Sequence, residues 1–344
     1  MRIYIRHDHL HAGGPIYRGF AAAWHKIGYE VRGYGDMRDI DDDGEYEIMS
    51  ADYDYGFPSY ALAHNLRHQN TPDHPTQPSH VFTPEKSRDI FRYALQRSRE
   101  VVRKAKKVYM YTQPTHFPLP WGGHPNFSSM VNGTPLIEEL TSANNVVLWN
   151  WGDLSSQVKE EWFAGWGDAL IHRVPLAFDS ISYKPIEDSA YAHDVCFVGG
   201  WANNGFDEKR AIMIEHFKAL MKTGLKCGVF VDKNISHEQE NLLLYNSKVS
   251  LNIHDSYQRI FGNDSNERTF KALGLTGAMV CDNIRQVKNL FPDLPLYSSP
   301  EEMVEQIQTY VGNAKLLQET KEHYRGMVAN NHTYVHRVQQ MRDL

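Results

Sequence analysis

Short apolar runs alternate along the chain with longer segments in which apolar residues recur every three or four positions. The runs predict β-strands, and the longer segments predict helices. The clearest helix is PEKSRDIFRYALQRSREVVRKAKK, where Ile90, Tyr93, Ala94, Val101 and Val102 form an apolar stripe. In the first 180 residues the predicted strands are MRIYIRH, YEVRGYG, EIMSADYDYG, VYMYTQP, NVVLWNW and ALIHRVPLAFD. Strands that alternate with helices in this way favour a parallel sheet.

The same alternation restarts after SYKPIEDSAYAH, which we interpret as a linker. The predicted strands there are DVCFVGG, KCGVFV, VSLNIH and AMVCDN. Helices are predicted between and after them, with Ser236 and Ser299 as N-caps and Gly224 as a stop signal. We therefore predict an α/β fold with two doubly wound, Rossmann-like domains. The predicted boundaries are 1–185 for the first domain, 186–325 for the second, and 326–344 for a helical tail that packs back towards the first.

Composition limits the class of protein. The 344 residues are 41% hydrophobic, which is enough for packed cores, and the length fits two domains. A net charge of −6 disfavours a protein whose main ligand is a polyanion. The cysteines Cys196, Cys227 and Cys281 form no C-x-x-C pair, so neither a disulfide framework nor a structural zinc site is predicted. No segment has the apolar length of a membrane span or signal peptide, and we predict a soluble, cytoplasmic protein of undetermined oligomeric state.

Five segments of the second half carry a resemblance to a known family. DVCFVGG, KVSLNIH, NERTFKALGLTGAMVCDN, LYSSPEEMVEQI and NHTYVHRVQQM follow one another in this order over residues 194–341. Together they resemble the C-terminal domain of glycosyltransferases related to spore-maturation proteins, an offshoot of the family 1 and family 4 enzymes of GT-B type. The resemblance implies two domains that face a cleft, with the donor bound largely by the second. It also implies a nucleotide-sugar donor, most simply a UDP- or GDP-sugar, with no resident cofactor and no metal.

The sequence departs from this family at one position. The family pattern is R-x-F-E-A, and here it is Arg268-Thr269-Phe270-Lys271-Ala272, so Lys271 replaces a glutamate that commonly contacts donor hydroxyls. Glu267, one turn earlier, is a candidate for a related role. A lysine at this position would instead suit a phosphate. The departure leaves open which nucleotide sugar is bound.

The leaving group of a nucleotide sugar is a diphosphate, so the donor site must stabilise anionic oxygens. Helix N-termini and Lys or Arg side chains do this without proton transfer. Two strand-to-helix connections of the second domain fit, and a glycine pair near the N-terminus would let the donor approach the first domain. A solvated loop without a ligand is the competing interpretation. The donor-binding candidates are Gly13, Gly14, Gly199, Gly200, Lys209, Arg210, Lys233, His254, Asn266, Glu267, Arg268 and Lys271.

An inverting reaction needs a base that deprotonates the acceptor hydroxyl, and a strand end of the first domain is the natural place for it. Asp8 and His11 follow the first strand, Asp54 follows the third, and His116 follows TQP. If the reaction retains configuration, these groups position the acceptor instead. Trp121 lies in a Gly/Pro-rich segment and is the candidate for stacking on a sugar acceptor.

Three alternatives remain open from the sequence. The acceptor is a glycan, a lipid-linked sugar or a small molecule in the leading hypothesis, and a hydroxymethylated base of phage-type DNA in the first alternative. The second alternative is a nucleotide- or sugar-binding protein without catalysis, which the Lys271 departure permits. The third is a metal-dependent hydrolase, because His7, His9 and His11 alternate as an H-x-H motif does. No matching His/Asp set recurs at later strand ends, which disfavours it.

Overall fold

The computed structural model describes residues 1–6, 14–35, 37–51, 96–115, 136–200 and 207–344. The predictions for Asp8, His11, Gly13, Asp54, His116 and Trp121 lie outside these ranges. The described residues form two parallel sheets, one in each half of the chain. The first sheet is built from β1 (Arg2–Arg6), β2 (Glu30–Tyr34), β3 (Tyr46–Ala51), β4 (Lys107–Tyr111), β5 (Val146–Asn150) and β6 (His172–Arg173). The second is built from β7 (Val195–Gly199), β8 (Cys227–Val231), β9 (Val249–Asn252), β10 (Met279–Asp282) and β11 (Leu296–Tyr297).

Helices connect these strands. In the first half they are α1 (Gly14–Lys26), α2 (96–104), α3 (Leu136–Ser142) and α4 (Ser156–Trp162). In the second half they are α5 (Asp207–Met221), α6 (His237–Asn246), α7 (Ser256–Phe261), α8 (Glu267–Lys271), α9 (Arg285–Leu290), α10 (Pro300–Gly312), α11 (Ala314–Asn331) and α12 (Tyr334–Arg342). A π-helical turn, Ala272–Thr276, continues α8 without a break.

Both sheets have the same order of winding. The first runs β2-β1-β3-β4-β5-β6, and the second runs β11-β10-β9-β7-β8. In each sheet the second strand lies on one side of the first, and all later strands lie on the other side. Connections therefore leave the first strand in opposite directions, which opens a crevice at the carboxyl ends of β1 and β3 and of β7 and β9. Two doubly wound α/β domains of this kind agree with the fold class predicted from the sequence.

The end of the chain packs against the first half. α12 lies along α1, where the Tyr334 ring rests on Gly19, so closely that a Cβ there would be 2.3 Å from the ring. The Arg337 guanidinium donates to the carbonyl of Pro175 at 2.8 Å, and Phe178 forms a parallel bridge with Thr333. The segment at Phe178, where the chain leaves the first domain, and the segment at Thr333, where it returns, therefore lie side by side.

Three apolar clusters of the described residues fill the layers around the sheets. One cluster lies on one side of the first sheet and includes Trp166, and another lies on one side of the second sheet and includes Met213. The third joins residues of both halves, with Trp149 of β5 and Phe270 of α8 in the same contiguous core as α12. Trp149 and Trp166 are each 2% exposed, so their bulk serves packing rather than sugar stacking. No helix in the described ranges is long and apolar enough to cross a lipid bilayer.

Local sequence signals predicted most element boundaries correctly. Ser236 caps α6 and Ser299 caps α10, as expected from their positions before an apolar repeat. One strand prediction was too long, and one helix prediction had the right extent but not the right helix type throughout. Of the run ALIHRVPLAFD only His172–Arg173 pairs as a strand, and NERTFKALGLTG forms a short α-helix followed by the π-helical turn. β6 lies at the edge of its sheet and pairs with β5 alone.

Gly277 ends the π-helical turn in a left-handed conformation with φ of 81°, and its Cα lies against the backbone of α11. A Cβ there would be 2.6 Å from the carbonyl oxygen of Lys321. We expect Gly277→Ala to lower the free energy of unfolding by more than about 2 kcal/mol, because backbone strain adds to a clash with a backbone atom. Gly224→Ala is the matched control, since φ there is 72° but the space is open, and it should cost only about 1 kcal/mol. Equal losses for both variants in urea unfolding would contradict the packing argument.

Candidate functional site

The crevice of the second sheet collects charged and polar side chains. β7 ends at Gly199, and β9 is followed by His254 and Asp255. The helix α8 begins beside them, with Asn266 as its N-cap. Ligands of open α/β sheets bind at such points because loops on both sides leave the carboxyl ends of the strands uncovered. Most of the donor candidates predicted in the second domain therefore lie around one crevice.

Arg268 extends across this crevice from α8. Its Nε donates to the carbonyl of Val198 on β7 at 2.8 Å, and its Nη1 donates to Asn252 Oδ1 on β9 at 3.1 Å. The guanidinium also lies over the Phe197 ring, with 4.9 Å between Cζ and the ring centroid. In the described part of the chain Arg268 forms no ion pair with a carboxylate. Its charge is therefore fixed in place by neutral groups and available to an anion.

The two glycines after β7 accommodate these side chains. A Cβ on Gly199 would lie 2.2 Å from Arg268 Nη2, and a Cβ on Gly200 would lie 2.5 Å from Asp232 Oδ1. Asp232 itself adopts a positive φ of 49°, and its backbone N–H donates to the Gly199 carbonyl at 3.0 Å. The sequence suggested glycines that admit a phosphate. The structure gives a further reason for a glycine at position 199, because any larger residue there would displace the Arg268 guanidinium.

Lys209 and Arg210 open α5 but differ in environment. Lys209 is buried at 5% exposure, and its ammonium pairs with Asp255, whereas Arg210 is exposed. Burial lowers the pKa of Lys209, and the charge of Arg268 lowers it further, while Asp255 opposes both effects. Lys233, after β8, is also exposed. Lys209 is thus held in an ion pair near Arg268, whereas Arg210 and Lys233 are exposed.

Asn252 is the polar centre that holds α8 in position. Its side chain is fully buried on β9 and donates to Thr269 Oγ1 at 2.9 Å, while Asn266 Nδ2 donates to Asn252 Oδ1 at 3.1 Å. The Asn266 side chain in turn accepts from the backbone N–H of Thr269, which is the N-cap bond of α8. Every polar atom of this buried amide therefore has a partner, which fixes the start of α8 relative to β9.

His254 and Asp282 form a buried pair at the ends of β9 and β10. His254 Nδ1 lies 2.6 Å from Asp282 Oδ1, and the backbone N–H of His254 donates to Asp282 Oδ2 at 3.0 Å. Arg259 Nη1 approaches the same carboxylate at 3.4 Å. Burial alone would raise the pKa of Asp282, but the charges and hydrogen bonds of His254 and Arg259 outweigh it and lower the pKa. His254 is completely buried, so it supports the crevice wall rather than facing a ligand.

His254, Cys281 and Asp282 have metal-ligand chemistry, and their ligand atoms lie within 4.8 Å of one another. The histidine and the carboxylate are bonded to each other, however, and burial raises the pKa of the Cys281 thiol well above its ordinary value. A metal would need a thiolate and a free imidazole nitrogen. The contacts therefore describe a hydrogen-bonded cluster whose donors already have partners.

We expect Asp282→Asn to lower the free energy of unfolding at pH 7 by about 3 kcal/mol, since it removes the charge that the buried His254 and Arg259 face. A lowered pKa in the folded state means that this stabilisation is present above the unfolded value of about 3.9 and is lost as the pH falls below it. The difference in the free energy of unfolding between wild type and variant, measured with urea, should therefore become smaller as the pH is lowered from 5 to about 2. The exposed Asp293→Asn serves as control, with a change within about 0.5 kcal/mol. A gap that is independent of pH would refute the assignment.

Lys271 lies between two carboxylates. Its Nζ is 2.6 Å from Glu240 Oε1 and 3.0 Å from Glu267 Oε1, and the Tyr183 hydroxyl donates to the other oxygen of Glu240. Burial alone would lower the pKa of Lys271, but the two carboxylates outweigh it and raise the pKa. For Glu267 burial opposes the charges of Lys271 and Arg268, which prevail and lower the pKa. The lysine that replaces the expected glutamate is therefore neutralised by acidic partners, and Glu267 is held ionised next to Arg268.

Three participants of the site escaped the sequence prediction. Asn252 lies inside a strand, Glu240 lies on α6, and Asp282 ends β10. For Asp282 a signal existed, because AMVCDN places an acidic residue at the carboxyl end of a predicted strand. Asn252 and Glu240 gave no signal, since their roles depend on contacts with residues 16 and 31 positions away. Of the two glycine candidates near the N-terminus, Gly13 lies outside the described residues and Gly14 is the first residue of α1.

Comparisons with known proteins agree with this architecture. Residues 191–343 match the family model described as glycosyl transferase-like. T4 phage BGT in complex with its UDP-glucose substrate is 12% identical, with 100% of this chain and 98% of that chain covered and a TM-score of 0.54. An alpha-glucosyltransferase in complex with UDP and a 13-mer DNA is 13% identical, with 100% and 99% covered and a TM-score of 0.53. No curated protein sequence matches the chain.

The fold and the family match define the class of protein. Both halves of the chain align with enzymes of known structure that have the GT-B fold, and the second half has the sequence pattern of glycosyltransferases. The two domains of the chain therefore have the GT-B fold, and residues 191–343 carry the sequence pattern of the glycosyl transferase-like family.

Proposed function

We propose that the enzyme transfers a hexose from a UDP-sugar to a hydroxyl acceptor, and that the donor diphosphate binds in the crevice between β7 and β9. Arg268 carries this proposal, because its guanidinium spans both strands and has no carboxylate partner in the described part of the chain. Anionic leaving groups are stabilised best by charges that are already held in position. The choice of UDP is supported by the structures that match over the full length, which were solved with UDP-glucose or UDP.

Glu267 is the proposed contact for donor hydroxyls. It lies in the first turn of α8, beside Arg268, and retains partial exposure although Lys271 binds one of its oxygens. An ionised carboxylate accepts hydrogen bonds from two neighbouring hydroxyls, as a ribose or hexose presents. Gly200, Lys209, Lys233 and Asn266 surround the same crevice in this proposal, while His254 and Lys271 support its walls.

The acceptor is proposed to bind at the corresponding crevice of the first sheet. β1 ends at Arg6 and β3 ends at Ala51, and the two strands are neighbours at the point where the winding reverses. Asp8 and His11 directly follow the first of these strands, and Asp54 follows the second. In an inverting reaction one of these groups takes the proton of the acceptor hydroxyl. The acceptor oxygen then bonds to the anomeric carbon as the bond to the diphosphate breaks.

A second candidate acceptor is a hydroxyl on a modified DNA base. It is supported by the extent of the likeness, since both domains align with a structure solved with DNA and with one described as a DNA-modifying enzyme, at 11% identity and a TM-score of 0.51. The net charge of −6 disfavours it.

The cytoplasmic location and the lack of a resident cofactor or metal stay predictions.

The proposal is tested by thermal shift and hydrolysis with a panel of UDP-, GDP-, ADP- and TDP-sugars. We expect a UDP-sugar to raise the melting temperature and to be hydrolysed slowly without an acceptor. No shift with any sugar nucleotide would refute the donor site. Product analysis by mass spectrometry with saccharides, an unmodified duplex and a duplex with hydroxymethylated cytosines then separates the two acceptor classes. If a sugar nucleotide binds but is neither hydrolysed nor transferred to any of these acceptors, the result would indicate a binding protein without catalysis.

A further inference from the structure

A cavity of about 440 Å³ lies between the two domains. From the first domain it is lined by residues 152–155, which follow β5, and by Ile171, His172 and Arg173 at β6. From the second domain it is lined by Arg285 and Asn289 on α9, which follows β10. None of the residues assigned to the β7/β9 crevice takes part. The cavity therefore lies at the same edge of the two sheets as the proposed catalytic cleft, and among the described residues it has a different lining.

Asp153 joins the two walls of this cavity. It pairs with Arg173, and it accepts from Gln286 Nε2 at 3.3 Å and from Asn289 Nδ2 at 3.1 Å. The backbone N–H of Asp153 donates to the Asn263 carbonyl, which adds a further bond between the domains. The carboxylate thus has three donors around it. Arg173 offsets the charge of this carboxylate, so Asp153 does not also neutralise a second guanidinium.

Arg285 supplies that second guanidinium. Its Nη2 donates to the Phe261 carbonyl at 3.1 Å, which orients the group, and within the described ranges it forms no ion pair. Arg173 uses its Nε on Asp153 and makes no other side-chain hydrogen bond to the described residues. Each guanidinium carries five N–H donors in a planar fork, so both arginines retain donors for a ligand.

The surroundings of Arg173 add to the positive field. The pKa of His332 is lowered to about 4, first by burial and then by the charges of Arg337, His336 and Arg173. The charge of Arg173 therefore reaches the end of the chain, where Arg337 carries a further positive charge. An anion that enters would meet two guanidinium groups that approach from opposite domains.

We infer that this cavity binds a phosphate group of the acceptor. The tetrahedral oxygens of a phosphate accept from two planar forks at once, which a planar carboxylate does less well. The inference rests on the proposed function in one respect, because the donor diphosphate is assigned to Arg268 and a second phosphate must then belong to the acceptor. A phosphorylated sugar and the backbone of a nucleic acid share this chemistry.

The test uses the full chain saturated with UDP, so that the donor crevice is filled, and titrates inorganic phosphate by ³¹P NMR line broadening. We expect Arg285→Ala to weaken phosphate binding at least about tenfold, since a charge-assisted fork is lost. Lys288→Ala removes the same charge from an exposed position on the same helix and does not line the cavity. It should leave the affinity unchanged. Circular dichroism and urea unfolding verify that both variants fold.

Wild-type affinity for phosphate in Arg285→Ala, or no phosphate binding by the UDP-saturated wild type, would overturn the inference. If UDP itself does not bind, the proposed donor site fails, and phosphate titration of Arg268→Ala still tests the cavity independently. Two further probes identify the source of the phosphate. Loss of affinity in Arg285→Ala for glucose 6-phosphate assigns a small acceptor, and the same loss for a duplex oligonucleotide assigns a nucleic acid.

Discussion

Arg268→Ala should reduce the affinity for a UDP-sugar by about 100-fold, equivalent to about 2.7 kcal/mol. The guanidinium is positioned across β7 and β9 by Val198 and Asn252, and its charge is not neutralised by a carboxylate in the described residues. A donor diphosphate would lose its main charged partner in the variant. Isothermal titration with the UDP-sugar that gives the largest thermal shift measures the effect.

Two further variants, one control and one with an intermediate effect, test whether the loss of affinity is specific to Arg268. Arg342→Ala removes an arginine on α12 with a half-exposed side chain, and it should bind the donor as the wild type does. Gly199→Ala keeps the arginine but places a Cβ against Nη2, so we expect an intermediate loss. Unchanged affinity in Arg268→Ala would reject the assignment of the diphosphate to this crevice.

Lys271→Met should lower the free energy of unfolding by about 3–5 kcal/mol, because it leaves the carboxylates of Glu240 and Glu267 without their shared buried cation. The lysine is 7% exposed and lies within 3.0 Å of both partners. Urea unfolding at pH 7 measures the loss. Lys271→Arg is the conservative comparison, and it should lose less because it keeps the charge.

A double-mutant cycle separates the ion cluster from side-chain packing. In the wild type Glu240→Gln should destabilise, since it weakens the bond to Lys271. In the Lys271→Met background the same change should stabilise, since it removes an unpaired buried charge. Additive effects of the two substitutions would show that the cluster has no energetic coupling.

The fold was accessible from the sequence because its signals are local. Strands such as VYMYTQP and VSLNIH show short apolar runs, and capping residues such as Ser236 and Ser299 mark helix starts within a few positions. The π-helical turn after α8 could not be predicted in this way. ALGLT has the pattern of an ordinary helix, and only packing around it, with Phe178 against Gly274, distinguishes the wider turn.

The candidate site was accessible only in part. The rule that ligands meet the carboxyl ends of strands located Gly199, Asn266 and Arg268 around one crevice. It did not separate Lys209, which is buried in an ion pair, from its neighbour Arg210, which is exposed. Adjacent helical positions differ by about 100° in direction, and which one faces the crevice depends on how the helix packs.

The same limit applies to Lys271, whose sequence context gives only its distance along the helix from Glu267. Its second partner, Glu240, comes from another helix 31 residues earlier. The sequence therefore identified a departure from the family pattern but not its compensation. Compensation by a distant carboxylate becomes visible only when the two helices are placed side by side.

The bridge between Phe178 and Thr333 has a mechanical consequence. The N–H of Phe178 donates to the His332 carbonyl at 2.8 Å, and the Phe178 carbonyl accepts from Tyr334 at 3.1 Å, so the two strands of chain that cross between the domains are joined at one place. The Phe178 ring also rests on Gly274, in the turn that continues the helix of Arg268. Two connections that cross at separate places would resist rotation of one domain against the other. Two connections that are joined at one place form a single hinge. We expect any opening of the cleft to turn about Phe178, with small displacements there and larger ones at the cavity rim.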